Sequence, residues 1–265
     1  MKRTIFTSLL ALAACAALIA QSAPKGQAGP KQPAPKSKAE ADALTALFQA
    51  AQAGNPDQII KNGDELITKF ADTDYKETAL YMMADAYQNK RDNAKAEIYA
   101  EQALAANPKS YQASILLAEV IVQGTRENDL DREEKLGKAE KHAKDAVDFS
   151  KDAPKPNPQI TDEQWAEFKK GIVARAHSSM GLAALVRKKY DVAATEFKTA
   201  VENDPQAAYM VRQASALQSS GKNNEAIALC DKIIADPQAH PQIKQVAQQI
   251  RDGAIKAGGK PGGGE

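Results

Sequence analysis

Between Tyr75 and Pro108, apolar and small residues recur three and four apart. Leu80, Met83, Ala84 and Tyr87 come first; after a polar break at Asn89–Asn93 follow Ala96, Ile98, Tyr99, Ala100, Ala103 and Leu104. That spacing marks one face of an α-helix twice over, so the stretch predicts two amphipathic helices joined by a short turn. Helices of about fourteen residues are marginal alone in water. These two must bury their apolar stripes against each other and against neighbours.

The pattern returns along the chain. Leu44, Leu47 and Phe48 mark one helix, Gly54-Asn55-Pro56 a turn, and Ile59, Ile60, Leu66, Ile67 and Phe70 a second helix. Ile115, Leu117, Ala118, Val120 and Ile121 form another first helix; its partner runs Leu136–Phe149, with Ala139, Ala143 and Ala146 on the packing side. Thr161-x-x-Gln164 is a capping box. It opens a helical pattern through Trp165, Phe168, Ile172, Ala176, Met180 and Ala184 to near Lys188, about 40 Å at 1.5 Å per residue. Arg175–Pro205 repeats the grammar of Tyr75–Pro108. Met210–Ser219 and Glu225–Ala235 make a fifth pair, and Ile243, Val246, Ile250 and Ile255 a last helix whose polar side would seal an open end.

Aligned on their terminal prolines, Met180-Gly181 falls on Met83-Ala84, Ala193 on Ala96, Phe197 on Ala100 and Ala200 on Ala103. Small residues at these places let two helix axes approach, and Asn107-Pro108 and Asp204-Pro205 stop the second helix. The units resemble the tetratricopeptide repeat, a helix–turn–helix of about 34 residues with the pattern W-x2-L-G-x2-Y…A-x3-F…P. The resemblance spans roughly Leu44–Ile255 and is strongest over these two units. It implies an all-α, right-handed superhelical solenoid of stacked helix–turn–helix repeats with a C-terminal capping helix. It also implies a non-enzymatic scaffold or adaptor that binds a protein or peptide. The two strong units begin 97 residues apart, near Glu77 and Ala174, where two steps account for about 68. The surplus falls in two insertions, 124–135 and 150–164. The phrase KFADTDYKETAL resembles a joint of tetratricopeptide proteins of bacterial envelopes, with Ala71 where a proline would stand.

Lys2 and Arg3 precede an apolar run from Ile5 to Ala20, the layout of an export signal over residues 1–22. Two processing routes fit. Ala20-Gln21-Ser22 supports ordinary cleavage before Ala23, whereas Leu12-Ala13-Ala14-Cys15 resembles a lipobox, in which Cys15 would be lipidated and would hold the protein at a membrane. Residues 23–38, rich in proline and lysine, read as a disordered linker, 39–257 as the repeat domain and 258–265 as a disordered glycine-rich tail. The expected location is exported, periplasmic or secreted.

A net charge of +1 supplies no field for nucleic acid. Cys15 and Cys230 offer no disulfide framework. No nucleophile elbow, phosphate loop, zinc helix or dinucleotide fingerprint occurs. His142, His177 and His240 lie far apart, and the run Glu127, Asp129, Asp131, Glu133, Glu134 lacks the glycine and spacing of a calcium loop. No catalytic residue, cofactor or metal is expected. Function then rests on shape. The residues off the packing face of the first helices are Thr78, Tyr81, Asp85, Gln88 and Asn89, then Gln112, Ile115, Glu119 and Gln123. Their amides and one aromatic suit a peptide laid in a groove. Trp165 either covers a helix end or anchors a partner. The lysine-and-asparagine clamp that some family members use for peptide carboxylates is missing. Two alternatives stand beside this reading. One is a lipoprotein subunit of an outer-membrane assembly complex. The other is an envelope hydrolase or metal enzyme with its site in an insertion, disfavoured because neither insertion holds histidine or cysteine.

Overall fold

The computed structural model describes residues 33–157 and 159–260. The proposed export signal, Cys15 and residues 261–265 lie outside the described residues. Within them the chain forms eleven α-helices and no strand. In order they are α1 (Lys38–Gln52), α2 (Pro56–Lys69), α3 (Lys76–Asn89), α4 (Asn93–Ala106), α5 (Tyr111–Gly124), α6 (Arg132–Lys151), α7 (Asp162–Val186), α8 (Tyr190–Asn203), α9 (Ala207–Ser219), α10 (Asn223–Ala235) and α11 (Pro241–Lys256). None is long and apolar enough to cross a membrane. The helix positions match the five pairs and closing helix expected from the apolar pattern.

By contacts the chain divides into two compact units. The first ends at Val120 and takes in Asp148–Ala166; the second comprises Ile121–Val147 and the chain from Glu167 onward. The boundaries fall inside α5, α6 and α7.

In the first unit α1 packs on α2, α2 on α3 and α3 on α4. Their shared interior is narrow because alanine fills it: Ala79, Ala84, Ala86, Ala96, Ala100 and Ala103 have no exposed surface, and Leu47, Leu66 and Met83 fill the wider gaps. Ile98 was expected on the packing stripe but is 51 % exposed. It lies two residues from Ala96, about 200° around the helix, whereas Ala96, Ala100 and Ala103 keep the required three- and four-residue steps. The chain before α1 is tied down at Pro33–Ser37, earlier than the linker reading expected. Tyr75 donates its hydroxyl to the Pro33 carbonyl at 2.7 Å, Lys36 pairs with Asp72 and Asp74, and Ser37 caps the helix by accepting the Glu40 N–H. The second insertion also folds onto this unit. Trp165 meets the edge of Tyr111, its ring centroid 6.4 Å away, and donates its indole N–H to the Ala153 carbonyl at 3.3 Å. The expected capping box is present: Thr161 and Gln164 exchange backbone-to-side-chain bonds of 3.0 and 3.2 Å.

In the second unit α8 packs on α9, α9 on α10, and α11 on both α9 and α10. Ala184, Ala193, Phe197, Ala216, Leu217, Ile227 and Ala254 form one apolar cluster; Ala214, Cys230, Ile233, Ala247 and Ile250 form another. α11 uses Ala247, Ile250 and Ala254, so Val246, one position around the helix, is left 41 % exposed. The chain beyond α11 stays attached as far as it is described. Gly259 is buried near Ile227, and the Lys260 N–H donates to Asn224.

One turn design joins the helices of four hairpins. The second residue after the first helix takes a left-handed conformation: Gly54 (φ 63°), Arg91 (φ 62°), Lys188 (φ 59°) and Gly221 (φ 80°). The following N–H then reaches back five residues, to Ala50, Tyr87, Ala184 and Leu217, at 2.9 to 3.1 Å. This satisfies helix-end carbonyls that would otherwise be orphaned. Glycine meets the conformation without strain; Arg91 and Lys188 adopt it despite their Cβ.

Candidate partner-binding face and an adjoining cleft

On α3, Thr78, Tyr81, Asp85, Gln88 and Asn89 share one side of the helix by their three- and four-residue spacing. Thr78, Asp85 and Gln88 are half-buried, Asn89 is exposed, and Tyr81 is 8 % exposed. Asn89 donates its amide N–H to Asp85 at 3.0 Å. Gln88 approaches Glu119 of α5 at 3.5 Å, which places α5 beside α3. Gln112 and Glu119 are half-buried on α5. The face they form is polar, with two carboxylates and several amides that can each donate and accept.

Three expected face residues sit elsewhere. Ile115 is fully buried and belongs to the core of α5. Trp165 is 6 % exposed beneath Tyr111, so it covers the end of α5 and is not an exposed anchor. Tyr81, at 8 % exposure, is likewise buried among the core residues of α3, whereas Gln123 is exposed on α5, four residues after Glu119. Burial sorts them, because the first turns of α5 are enclosed on more sides than its apolar count suggests.

Sequence reasoning missed a polar joint that occurs twice. Thr73, before α3, donates its hydroxyl to Glu40 of α1 at 2.6 Å. Ser110, before α5, donates to Glu77 of α3 and caps α5 by accepting the Ala113 N–H. Both pairs are 33 residues apart. That matched spacing of carboxylate and hydroxyl was the available signal. Around the second joint an open cleft of about 670 Å³ is lined by Pro33, Thr73, Asp74, Glu77, Gln102 and Asn107, among others. Burial raises the pKa of Glu77 above the usual carboxylate value, while the Ser110 and Thr78 hydroxyls pull it back down. Burial, with the charge of Glu77 nearby, also pushes the Tyr111 phenol far up.

The acidic run 127–134 is not bare. Arg187 binds Glu133 at 2.7 Å and also Glu140, Lys188 binds Glu127, and Lys135 binds Asp131 at 3.0 Å. The first insertion is thus laced to the end of α7 by arginine and lysine. Among the described residues no group of three or more His, Cys, Asp or Glu is placed to hold a metal. His177 meets Glu196 at 2.7 Å, an isolated pair. Cys230 is fully buried, and burial raises its thiol to about 11, so it is protonated at neutral pH.

The comparisons agree with this architecture. A family model described as tetratricopeptide repeat matches residues 81–148 and 179–240. Those two stretches are thus similar to tetratricopeptide repeats. Two solved structures share the fold. One is TTC0263, a thermophilic tetratricopeptide repeat protein of Thermus thermophilus, at 18 % identity, TM-score 0.54, covering 82 % of this chain and 99 % of that one. The other is a double mutant of MamA RS-1, at 14 % identity, TM-score 0.50, covering 84 % and 96 %. No curated protein matches the chain. Tetratricopeptide repeat proteins generally mediate protein–protein interactions and are typically non-enzymatic scaffolds.

Proposed function

We propose that the chain is a non-enzymatic adaptor of the bacterial cell envelope, which holds a protein or peptide against the polar face of α3 and α5. The single observation that carries the binding reading is the juxtaposition of Asp85, Gln88 and Asn89 with Glu119 on two neighbouring first helices, accessible yet outside the apolar packing. Amides that donate and accept suit a peptide backbone, which presents both kinds of group along its length. The envelope location is supported by the charged start and apolar run of residues 1–22, and Cys15 offers a lipid anchor if the lipobox is used.

Affinity capture from envelope extract tests the reading. The triple variant Asp85→Asn, Gln88→Ala, Asn89→Ala alters the face without opening a core cavity. It should lose a partner that the wild-type protein retains, at unchanged helical content. Equal recovery of every partner by both proteins would exclude this face. Metabolic labelling with a lipid precursor decides the anchor: label that disappears in Cys15→Ala supports it, and an unlabelled wild-type protein removes it.

A further inference from the structure

The geometry points to a subsite for a cationic side chain, lysine or arginine, at the second carboxylate oxygen of Glu77 in the cleft of the first unit. This deepens the partner-binding reading and rests on it: the cation would be one anchor of a bound peptide, beside the α3–α5 face.

The two polar joints supply an internal comparison. Glu40 is 1 % exposed, and both its oxygens are occupied. Oε1 accepts the Thr73 hydroxyl at 2.6 Å, and Oε2 accepts the backbone N–H of Lys36 at 2.6 Å. Glu77 stands at the matching place one repeat later. Its Oε1 accepts the Ser110 hydroxyl. Its Oε2 has only the Thr78 hydroxyl at 3.4 Å, near the limit for a hydrogen bond. The donor that completes the first joint comes from the chain entering α1; among the described residues the second joint has no counterpart, and Glu77 is one of the residues that line the cleft.

The missing donor should carry charge. Glu77 is half-buried, and among the described residues no lysine, arginine or histidine pairs with it. Asp74, which lines the same cleft, is paired with Lys36, while Lys76 stands at the rim without an ion pair to Glu77. A neutral donor would satisfy the oxygen but leave the half-desolvated charge unmatched; an ammonium or guanidinium does both. Leu80, Ala105 and Ala106 give the cleft an apolar wall for the methylene shaft of such a side chain. Gln102 and Asn107 can bond its flanking backbone.

Nuclear magnetic resonance titration of the full chain tests this. The probes are an alanine pentapeptide with a central lysine, its arginine counterpart, and the norleucine counterpart, which keeps the shaft and loses the charge. The lysine and arginine peptides should shift the amides of Thr78, Ala105 and Ala106 saturably, with the norleucine peptide at least tenfold weaker. Glu77→Gln should weaken the cationic peptides at least tenfold while its unperturbed spectrum stays that of the wild-type fold. Equal binding of the norleucine peptide, or undiminished binding to Glu77→Gln, would overturn the subsite. So would shifts confined to Asp85, Gln88 and Asn89; those would leave the α3–α5 face standing and remove the cation site alone.

Discussion

Gly181 of α7 lies under the ring of Phe197 of α8: a Cβ placed on Gly181 would stand 2.7 Å from the ring carbon Cε1. At the aligned positions of the α3–α4 hairpin both residues are alanine, Ala84 and Ala100, each fully buried. The same packing position is thus filled in two ways, by two medium residues or by one large and one absent. Gly181→Ala should destabilise the protein by about 1–3 kcal/mol, because the ring has buried neighbours on its other sides. Adding Phe197→Leu to Gly181→Ala should recover part of that loss. Urea unfolding of the two single variants and the double variant gives the coupling directly; simple additivity would show that the two side chains do not compete for one space.

The turns offer a gain in stability. Arg91 holds φ 62° between α3 and α4, where the equivalent residue in two other hairpins is glycine. Relieving a left-handed conformation is worth about 1–2 kcal/mol, and the greater freedom of unfolded glycine returns about half of it. Arg91→Gly should therefore raise stability by up to about 1 kcal/mol, read as a higher denaturant midpoint at unchanged slope.

Neighbouring cations at the end of α7 should differ in weight. Arg187 is 15 % exposed at its side chain and grips two carboxylates, Glu133 and Glu140. Lys188 is 59 % exposed and reaches one, Glu127. Arg187→Gln should cost about 1.5–3 kcal/mol, the range for hydrogen bonds to charged groups. Lys188→Gln should cost far less, and lose even that in high salt. Thermal unfolding of both variants at low and high ionic strength separates them.

Glu77 should leave a mark on the pH dependence of stability. Burial makes the folded carboxyl hold its proton above the ordinary value of 4.5. Its contribution is full below that value and is lost as pH rises through the folded constant, because only the folded state resists the charge. Glu77→Gln keeps an acceptor for Ser110 without the charge. It should be more stable than the wild type at pH 7, with the difference closing near pH 4. A variant less stable than the wild type at pH 7 would mean that the carboxylate is matched by a charge inside the fold.

Cys230 should resist modification in the folded state. With its thiol at about 11 and no exposed surface, labelling at pH 8 in a Cys15→Ser background should follow global opening and run orders of magnitude slower than in denaturant. Rapid native labelling would place Cys230 outside the α10 core.

The helices were readable because alanine, leucine and methionine recur at helical spacing, and the strong hairpins announce their turns with polar runs. The capping box at Thr161 was equally plain, since two short-range bonds define it. The site was harder to read. Helical spacing placed Ile115 and Trp165 on a face but could not say what covers that face; Tyr111, distant in sequence, and Ala153 of the 150–164 insertion do so for Trp165. The Arg187 bonds to Glu133 and Glu140 span 54 and 47 residues, so the acidic run looked solvated until the chain was folded. The left-handed turns at Arg91 and Lys188 carry no glycine to advertise them.

The most direct test of partner binding is site-specific photocrosslinking. A photoreactive residue replaces Gln88 or Asn89 on the α3 face, or exposed Ala94 on α4 as the control. Irradiation in the producing cell should give a discrete protein adduct from positions 88 and 89 and none from 94. Adducts of equal yield from position 94, or none from 88 and 89 in a correctly folded protein, would contradict a partner held by α3 and α5.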